Sequence, residues 1–170
     1  MKMNKKLIEE LELNFKDIQI RVSEDTKIIL SAKKEQVFTI LRFLKDNGYD
    51  HLALISCVDW IERSEFELVY IVTPYILDDK SYIEKGDIHL KTTISRENPE
   101  FKTVIPIFAN AEPYERELHE LFGIKFEGHP RLTHLLLERD YEIPPFRKDF
   151  NTREYVDEFF KSIPSIKEEK

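Results

Sequence analysis

The chain of 170 residues has one cysteine, four glycines, one tryptophan and no long apolar run. Each scarcity excludes something. The single thiol, Cys57, makes an intrachain disulfide impossible, and alone it cannot hold an iron–sulfur cluster or a structural zinc ion, which need several ligands. A reducing compartment fits that usage. The glycines are scattered at positions 48, 86, 123 and 128, so no glycine-rich loop cradles a phosphate and nucleotide binding is disfavoured. The longest apolar stretches are short pieces such as residues 52–55, far below the roughly 20 apolar residues of a membrane-spanning helix. The opening MKMNKKLIEELEL is basic but runs straight into charged residues, so no secretory signal is expected and the chain is expected to stay in the cytoplasm. Positive charge is also the scarcer sign, 26 Lys and Arg against 33 Asp and Glu, giving a formal net charge of -7. A polyanion is repelled by such a chain, and nucleic acid is not an expected partner.

What is present suffices for a folded domain: 41% hydrophobic residues, a very charged remainder, and a length that fits one core plus a tail. Leu7, Ile8 and Leu11 share a helical face, and the following stretch alternates through Ile18, Ile20 and Val22 to Ile28 and Leu30 as two strands. Val37, Ile40, Leu41 and Leu44 stand at i, i+3, i+4 and i+7, with Ser31 as the expected N-cap and Gly48 just past the end. Three strand-like runs follow at residues 51–58, 66–73 and 87–95. The polar connection over residues 74–86 reads as a mobile hairpin link. A further helix is expected after Asn110 and before Gly123, then a strand around Phe126 and a turn at Gly128-His129-Pro130. The order α-ββ-α-βββ-α implies an α+β fold, a two-layer α/β sandwich with a mixed sheet. Residues 1–125 form that domain, and residues 126–170 an extended C-terminal arm, made stiff by Pro144 and Pro145 and ending in a short helix over residues 151–160.

On a helical wheel Tyr114, Leu118, Leu121 and Phe122 form one stripe, Glu115 and Glu117 lie on its borders and Arg116 lies opposite. Two carboxylates two residues apart point to different sides of a helix, so they are no acid–base dyad. They are either solvated, paired internally with Arg131, Arg147 or Lys148, or set against a partner. His119-Glu120 begins a zinc-protease motif that fails at Gly123, and His119, His129 and His134 read as structural or surface residues. Cys57 reads as inert core, and Trp60 as a contact residue or a cap on the core.

Residues 115–130, Glu-Arg-Glu-Leu-His-Glu-Leu-Phe-Gly-Ile-Lys-Phe-Glu-Gly-His-Pro, are continued by Leu135-Leu136-Leu137 and by Pro145-Phe146-Arg147-Lys148-Asp149-Phe150. Upstream stand Cys57-Val-Asp-Trp-Ile-Glu-Arg and Phe66-Glu-Leu-Val-Tyr-Ile. Together these runs resemble the C, or thirty-kilodalton, subunit of respiratory complex I over residues 52–150. Thr133, where that family usually has a basic residue, and Glu112-Pro113, in place of a tryptophan-containing approach, depart from its pattern. Related subunits occur in membrane-bound hydrogenases, formate hydrogenlyases, ferredoxin- or deazaflavin-dependent complexes and sulfur-reducing archaeal complexes.

The resemblance implies a subunit with no catalytic, cofactor or metal residues of its own, a scaffold in the peripheral redox arm of such a complex. It implies packing beside the hydrogenase-like large subunit and the iron–sulfur subunit, which hold the iron–sulfur clusters and any nickel–iron centre. Membrane subunits are then reached only indirectly, from the cytoplasmic side. The expected partner interface comprises Glu115, Arg116, Glu117, His129, Arg131, Pro145, Phe146, Arg147, Lys148, Asp149 and Phe150. The other reading is a stand-alone binding module that uses the same arm on a different soluble protein.

Overall fold

The computed structural model describes residues 5–23, 27–75 and 86–159. Leu7 and Leu11, one turn apart, give α1 (Lys5–Asn14) its buried stripe. In α2 (Lys34–Asp46) the buried residues are Val37, Ile40, Leu41 and Leu44, the spacing expected of one helical face. Glu35 in its first turn and Lys45 in its last complement the helix dipole. Gly48, at φ +83°, then donates its N–H back to the Lys45 carbonyl and stops the helix. The start differs from expectation. Ser31 is still extended, paired with Lys91 across the sheet, so the N-cap falls at Lys33, whose N–H donates to Gln36 Oε1.

Five strands form the main sheet in the order β1-β2-β5-β4-β3: β1 (Gln19–Val22), β2 (Lys27–Ser31), β3 (His51–Trp60), β4 (Glu65–Thr73) and β5 (Asp87–Ser95). β2 and β5 run parallel and the other pairs antiparallel, so the sheet is mixed. Alternation decides which side is core. Phe66, Leu68, Tyr70 and Val72 of β4 and Ile88, Leu90 and Ile94 of β5 point inward and pack with the buried faces of the helices. β3 carries one extra residue: Leu52 is opposite Val72 but Leu54 is opposite Ile71, so both Leu52 and Ile55 reach the core. The bulge also leaves two carbonyls free for another element to bond.

That element is α3 (Ala111–Phe122). Asn110 Nδ2 donates to the Leu52 carbonyl at 2.8 Å and the Tyr114 hydroxyl to the Ala53 carbonyl at 2.9 Å. Asn110 therefore fastens the helix to the sheet and makes no side-chain cap. α3 is the crossover between two three-residue strands, β6 (Glu100–Lys102) and β7 (Lys125–Glu127), which pair in parallel as a second, small sheet. β7 belongs to this unit, so the irregular chain begins at Gly128. It runs to α4 (Thr152–Phe159), where the rings of Tyr141, Phe150 and Tyr155 stack with centroids 5.0–5.8 Å apart. The hairpin link at 76–85 and the tail from 160 lie outside the described residues.

Tyr70 is completely buried, and its hydroxyl has no hydrogen-bond partner among the described residues. Burial first, and then the nearby Glu115 carboxylate, push its phenol well above the ordinary value. An unmet buried hydroxyl costs roughly 1–3 kcal/mol. Tyr70→Phe is expected to match or exceed the native protein in urea denaturation; a loss of about 1 kcal/mol or more would mean that the hydroxyl is bonded.

Candidate partner-docking site

Three charged residues of α3 are buried beside its apolar Leu118, Leu121 and Phe122: Glu115 at 0% exposure, Arg116 at 8% and Glu120 at 7%. A buried charge persists only where its bonding capacity is met, and each of these is met by main chain. Glu115 accepts from Thr103 Oγ1 at 2.6 Å and from the Val104 N–H at 2.7 Å, fastening the segment after β6. Arg116 donates from Nε to the Thr133 carbonyl at 3.0 Å and from Nη2 to the His134 carbonyl, and stands 3.5 Å from Glu112. Glu120 accepts three successive N–H groups, those of Leu135 at 2.8 Å, Leu136 at 2.9 Å and Leu137 at 3.2 Å.

The C-terminal end of α3 receives the other half of the arm. The Phe146 N–H donates to the Leu121 carbonyl at 3.0 Å, and Arg147 Nε to the Phe122 carbonyl at 2.7 Å. These are carbonyls a helix end leaves without partners. Gly123 permits the approach: its φ is +77°, and a Cβ there would lie 3.0 Å from Arg147 Nη2 and 3.1 Å from Pro144 Cγ. Arg147 also lies over the Phe66 ring, 5.2 Å from its centroid, with Arg96 at 5.7 Å. Burial, and then Arg96, lower the Arg147 pKa from its ordinary value.

A second anchor sits at the end of the main sheet. Asp59, 4% exposed, accepts Arg96 Nε at 2.9 Å and the Lys148 N–H at 2.8 Å. Arg96 also pairs with Asp149. The two carboxylates, Asp59 first, hold the Arg96 guanidinium firmly cationic, and Arg96 in turn draws the Asp149 carboxyl below its ordinary value.

Among the expected interface residues, Glu115, Arg116 and Arg147 thus make their bonds within the chain. Arg116, expected opposite the apolar stripe, is buried because the arm covers that side of the helix. Glu117 is half-buried. His129 Nδ1 accepts the Arg131 N–H at 3.0 Å, so Nε2 carries the proton and donates to the Glu112 carbonyl at 3.2 Å. Arg131 is 67% exposed, 3.8 Å from Glu112. Pro145 and Phe150 are half-buried, and Phe146, Lys148 and Asp149 are exposed. Arg96 was not singled out in the sequence, Glu120 entered only through the failed zinc-protease motif and Asp59 only within a quoted run, although Asp59 follows Ile55 and Cys57 on the inward register of β3.

Some large apolar side chains of the arm face the other way: Leu136 is 66% exposed, Phe146 59%, and Leu135 and Ile143 about 40%. Leu132 and Leu137 pack against the core, while with the main chain bonded inward Leu135, Leu136, Ile143 and Phe146 leave apolar surface exposed of the kind that partners cover. Among the described residues no group of three or more His, Cys, Asp or Glu side chains is placed to hold a metal ion. His119 Nδ1 lies 2.9 Å from the Ile124 carbonyl. Burial first, then Asp59, push the Cys57 thiol up to about 12, so it is not a nucleophile at neutral pH.

Related chains share this build. A chain of the archaeal membrane-bound sulfane sulfur reductase superposes with a TM-score of 0.82 at 25% identity, covering 97% of this chain and 95% of that one. The C subunit of the NADH-quinone oxidoreductase of Moorella thermoacetica is 31% identical over 84% of this chain and 92% of its own length. The C subunit of the F(420)H(2) dehydrogenase of Methanosarcina mazei is 33% identical over 85% and 89%. The fold is therefore one shared with subunits of respiratory oxidoreductase complexes. The family model for the respiratory-chain NADH dehydrogenase 30 kDa subunit matches residues 30–156, and the chain belongs to that family.

Two outcomes are expected of α3. Burial lifts the Glu115 carboxyl from 4.5 to about 7, against the opposing pull of its Thr103 and Val104 bonds. The folded state then keeps a proton that the unfolded state releases, so this contribution to stability is full below about pH 4.5 and lost as pH rises to about 7, on the order of 3 kcal/mol. Glu115→Gln, the isosteric neutral side chain, is expected to equal the native protein at pH 4.5 and to exceed it at pH 8 in urea midpoint; equal slopes with pH would refute the assignment. Glu120→Ala strands three arm N–H groups and is expected to accelerate tryptic cleavage after Arg139 while far-UV circular dichroism is retained; unchanged cleavage would mean that Glu120 does not hold the arm.

Proposed function

We propose that this chain is a non-catalytic scaffold subunit in the peripheral arm of a complex I-like oxidoreductase, docked on the hydrogenase-like large subunit of that complex. The observation that carries this reading is the arm itself. Main-chain bonds to Arg116, Glu120, Leu121 and Asp59 fix its course, and Leu135, Leu136, Ile143 and Phe146 are left facing outward with nothing among the described residues to cover them. Ordering the arm within the free subunit removes an entropy cost that binding would otherwise carry. Relatives named as subunits of an NADH-quinone oxidoreductase, an F(420)H(2) dehydrogenase and a sulfane sulfur reductase support the type of assembly.

In this reading the iron–sulfur clusters, and any nickel–iron centre, sit in neighbouring subunits. This chain contributes rigidity and position. No helix among the described residues is long and apolar enough to cross a membrane. In this reading attachment runs through partners, and the chain lies on the cytoplasmic side.

An affinity tag on the native chain, with the membranes solubilised in mild detergent, tests this. The expected result is co-purification of iron-containing and membrane subunits in fixed ratio. The chain produced alone is expected to be colourless above 320 nm, without stoichiometric metal or turnover. Leu136→Glu combined with Phe146→Glu is expected to abolish co-purification with little change in melting temperature. Stoichiometric iron or redox turnover in the isolated chain would overturn the scaffold reading.

A further inference from the structure

We propose that the end of the sheet at Trp60 is a receptor for a carboxylate carried by an acidic segment of a partner polypeptide. This deepens the reading of the chain as a docked subunit, and rests on it.

Two exposed cations gather around one indole. Trp60 closes β3, and its Nε1–H is buried without an acceptor among the described residues. The Arg63 guanidinium lies 5.0 Å from the ring centroid and the Lys148 ammonium 5.9 Å. Both cations are exposed, and among the described residues neither has a carboxylate within ion-pair distance, in a chain with 33 acidic residues against 26 basic ones. The neighbouring acids do not fill the role. Asp59 is engaged by Arg96 and by the Lys148 main chain, and Asp149 by Arg96. Glu65, opposite Trp60 in the ladder, and Glu62, beside Arg63, pair with neither cation. A carboxylate, which only accepts, is the group that two cations without an ion-pair partner would take.

The backbone that carries the two cations is also held in place. Arg63 ends a one-turn 3-10 helix (Ile61–Arg63), followed by Ser64 in the left-handed region at φ +53°. The Ser64 N–H donates to the Ile61 carbonyl and the Ser64 carbonyl accepts the Arg96 N–H at 2.9 Å, so the turn is fixed at both ends. The Lys148 backbone is fixed by Asp59.

Tryptophan, arginine and exposed apolar neighbours, here Ile61 in the turn and Phe146 two residues before Lys148, make up the composition of protein-binding hot spots. Lys148 belongs to the same arm that exposes Phe146, so the site is continuous with the proposed docking surface and meets the same neighbour.

The test is made in the assembled complex. A photoreactive benzoylphenylalanine at position 63 or 148 is expected to cross-link to a partner peptide rich in Asp or Glu, whereas one at Arg21, on β1, is not. Arg63→Glu with Lys148→Glu is expected to reduce co-purification at least tenfold and Arg21→Glu to leave it unchanged. A complex that assembles normally yet gives no cross-link from either position overturns the receptor while the subunit reading stands; a native chain that joins no complex overturns the subunit reading itself. A second measurement uses the isolated chain, whose only tryptophan is the reporter. At constant ionic strength a hexaglutamate peptide is expected to change Trp60 fluorescence saturably, and the double charge reversal to abolish the change. An equal response to inorganic phosphate would identify a general anion site and overturn the assignment to a polypeptide.

Discussion

A stretch of more than twenty residues without helix or strand still carries a donor and an acceptor at nearly every position, and those lying against a folded domain need partners. Here they are supplied by charged side chains of one helix and one strand. Glu120 takes three N–H groups in succession, Arg116 takes two carbonyls, and Asp59 takes the Lys148 N–H. Much else follows from that arrangement. The carboxylates and the guanidinium are stable in their buried positions because the arm completes their bonding, and the arm keeps one course because they are there. α3 is thus enclosed on two sides, by the sheet through Asn110 and Tyr114 and by the arm through its charges.

This two-sided enclosure explains what could be read from the sequence and what could not. Elements with one buried face were legible: the four-residue stripe of α2, the alternation of β4 and β5, and the glycine stops at 48 and 123. A helical wheel assumes one neighbour, so it placed Arg116 opposite the core side, although Glu115, Arg116 and Glu120 all lie in contacts that the apolar stripe does not reveal. β6, three residues long, is too short for alternation to register, and it exists because β7 returns beside it after the crossover. Ser31 failed as a cap because pairing with Lys91, a contact far away in sequence, kept it extended. The arm's composition reads as that of a docking element, but the course of its main chain depends on partners 15 to 89 residues away.

Two anchors divide the arm's work. Near α3, hydrogen bonds to helix side chains and helix-end carbonyls fix the stretches at 133–137 and 146–147. At the sheet end, Asp59, Arg96 and Asp149 form a charged junction against Phe66, whose ring also meets Phe122, which meets Phe146. The aromatic series joins the core to the exposed arm through rigid, low-entropy side chains. A load applied to the outer surface would therefore be borne by the sheet as a whole.

The bond from Asp59 to the Lys148 main chain spans 89 residues and ties the third strand to a point far downstream of it. Long-range closures are entropically the dearest steps of folding and come after local helices and hairpins have formed. During synthesis, the sheet and α3 can assemble while the arm is still inside the ribosome, but the outward-facing surface cannot exist until Lys148 and Asp149 have emerged. In the proposed reading, a truncated or stalled product would present a folded domain without its docking surface, and so would be passed over when neighbouring subunits are joined.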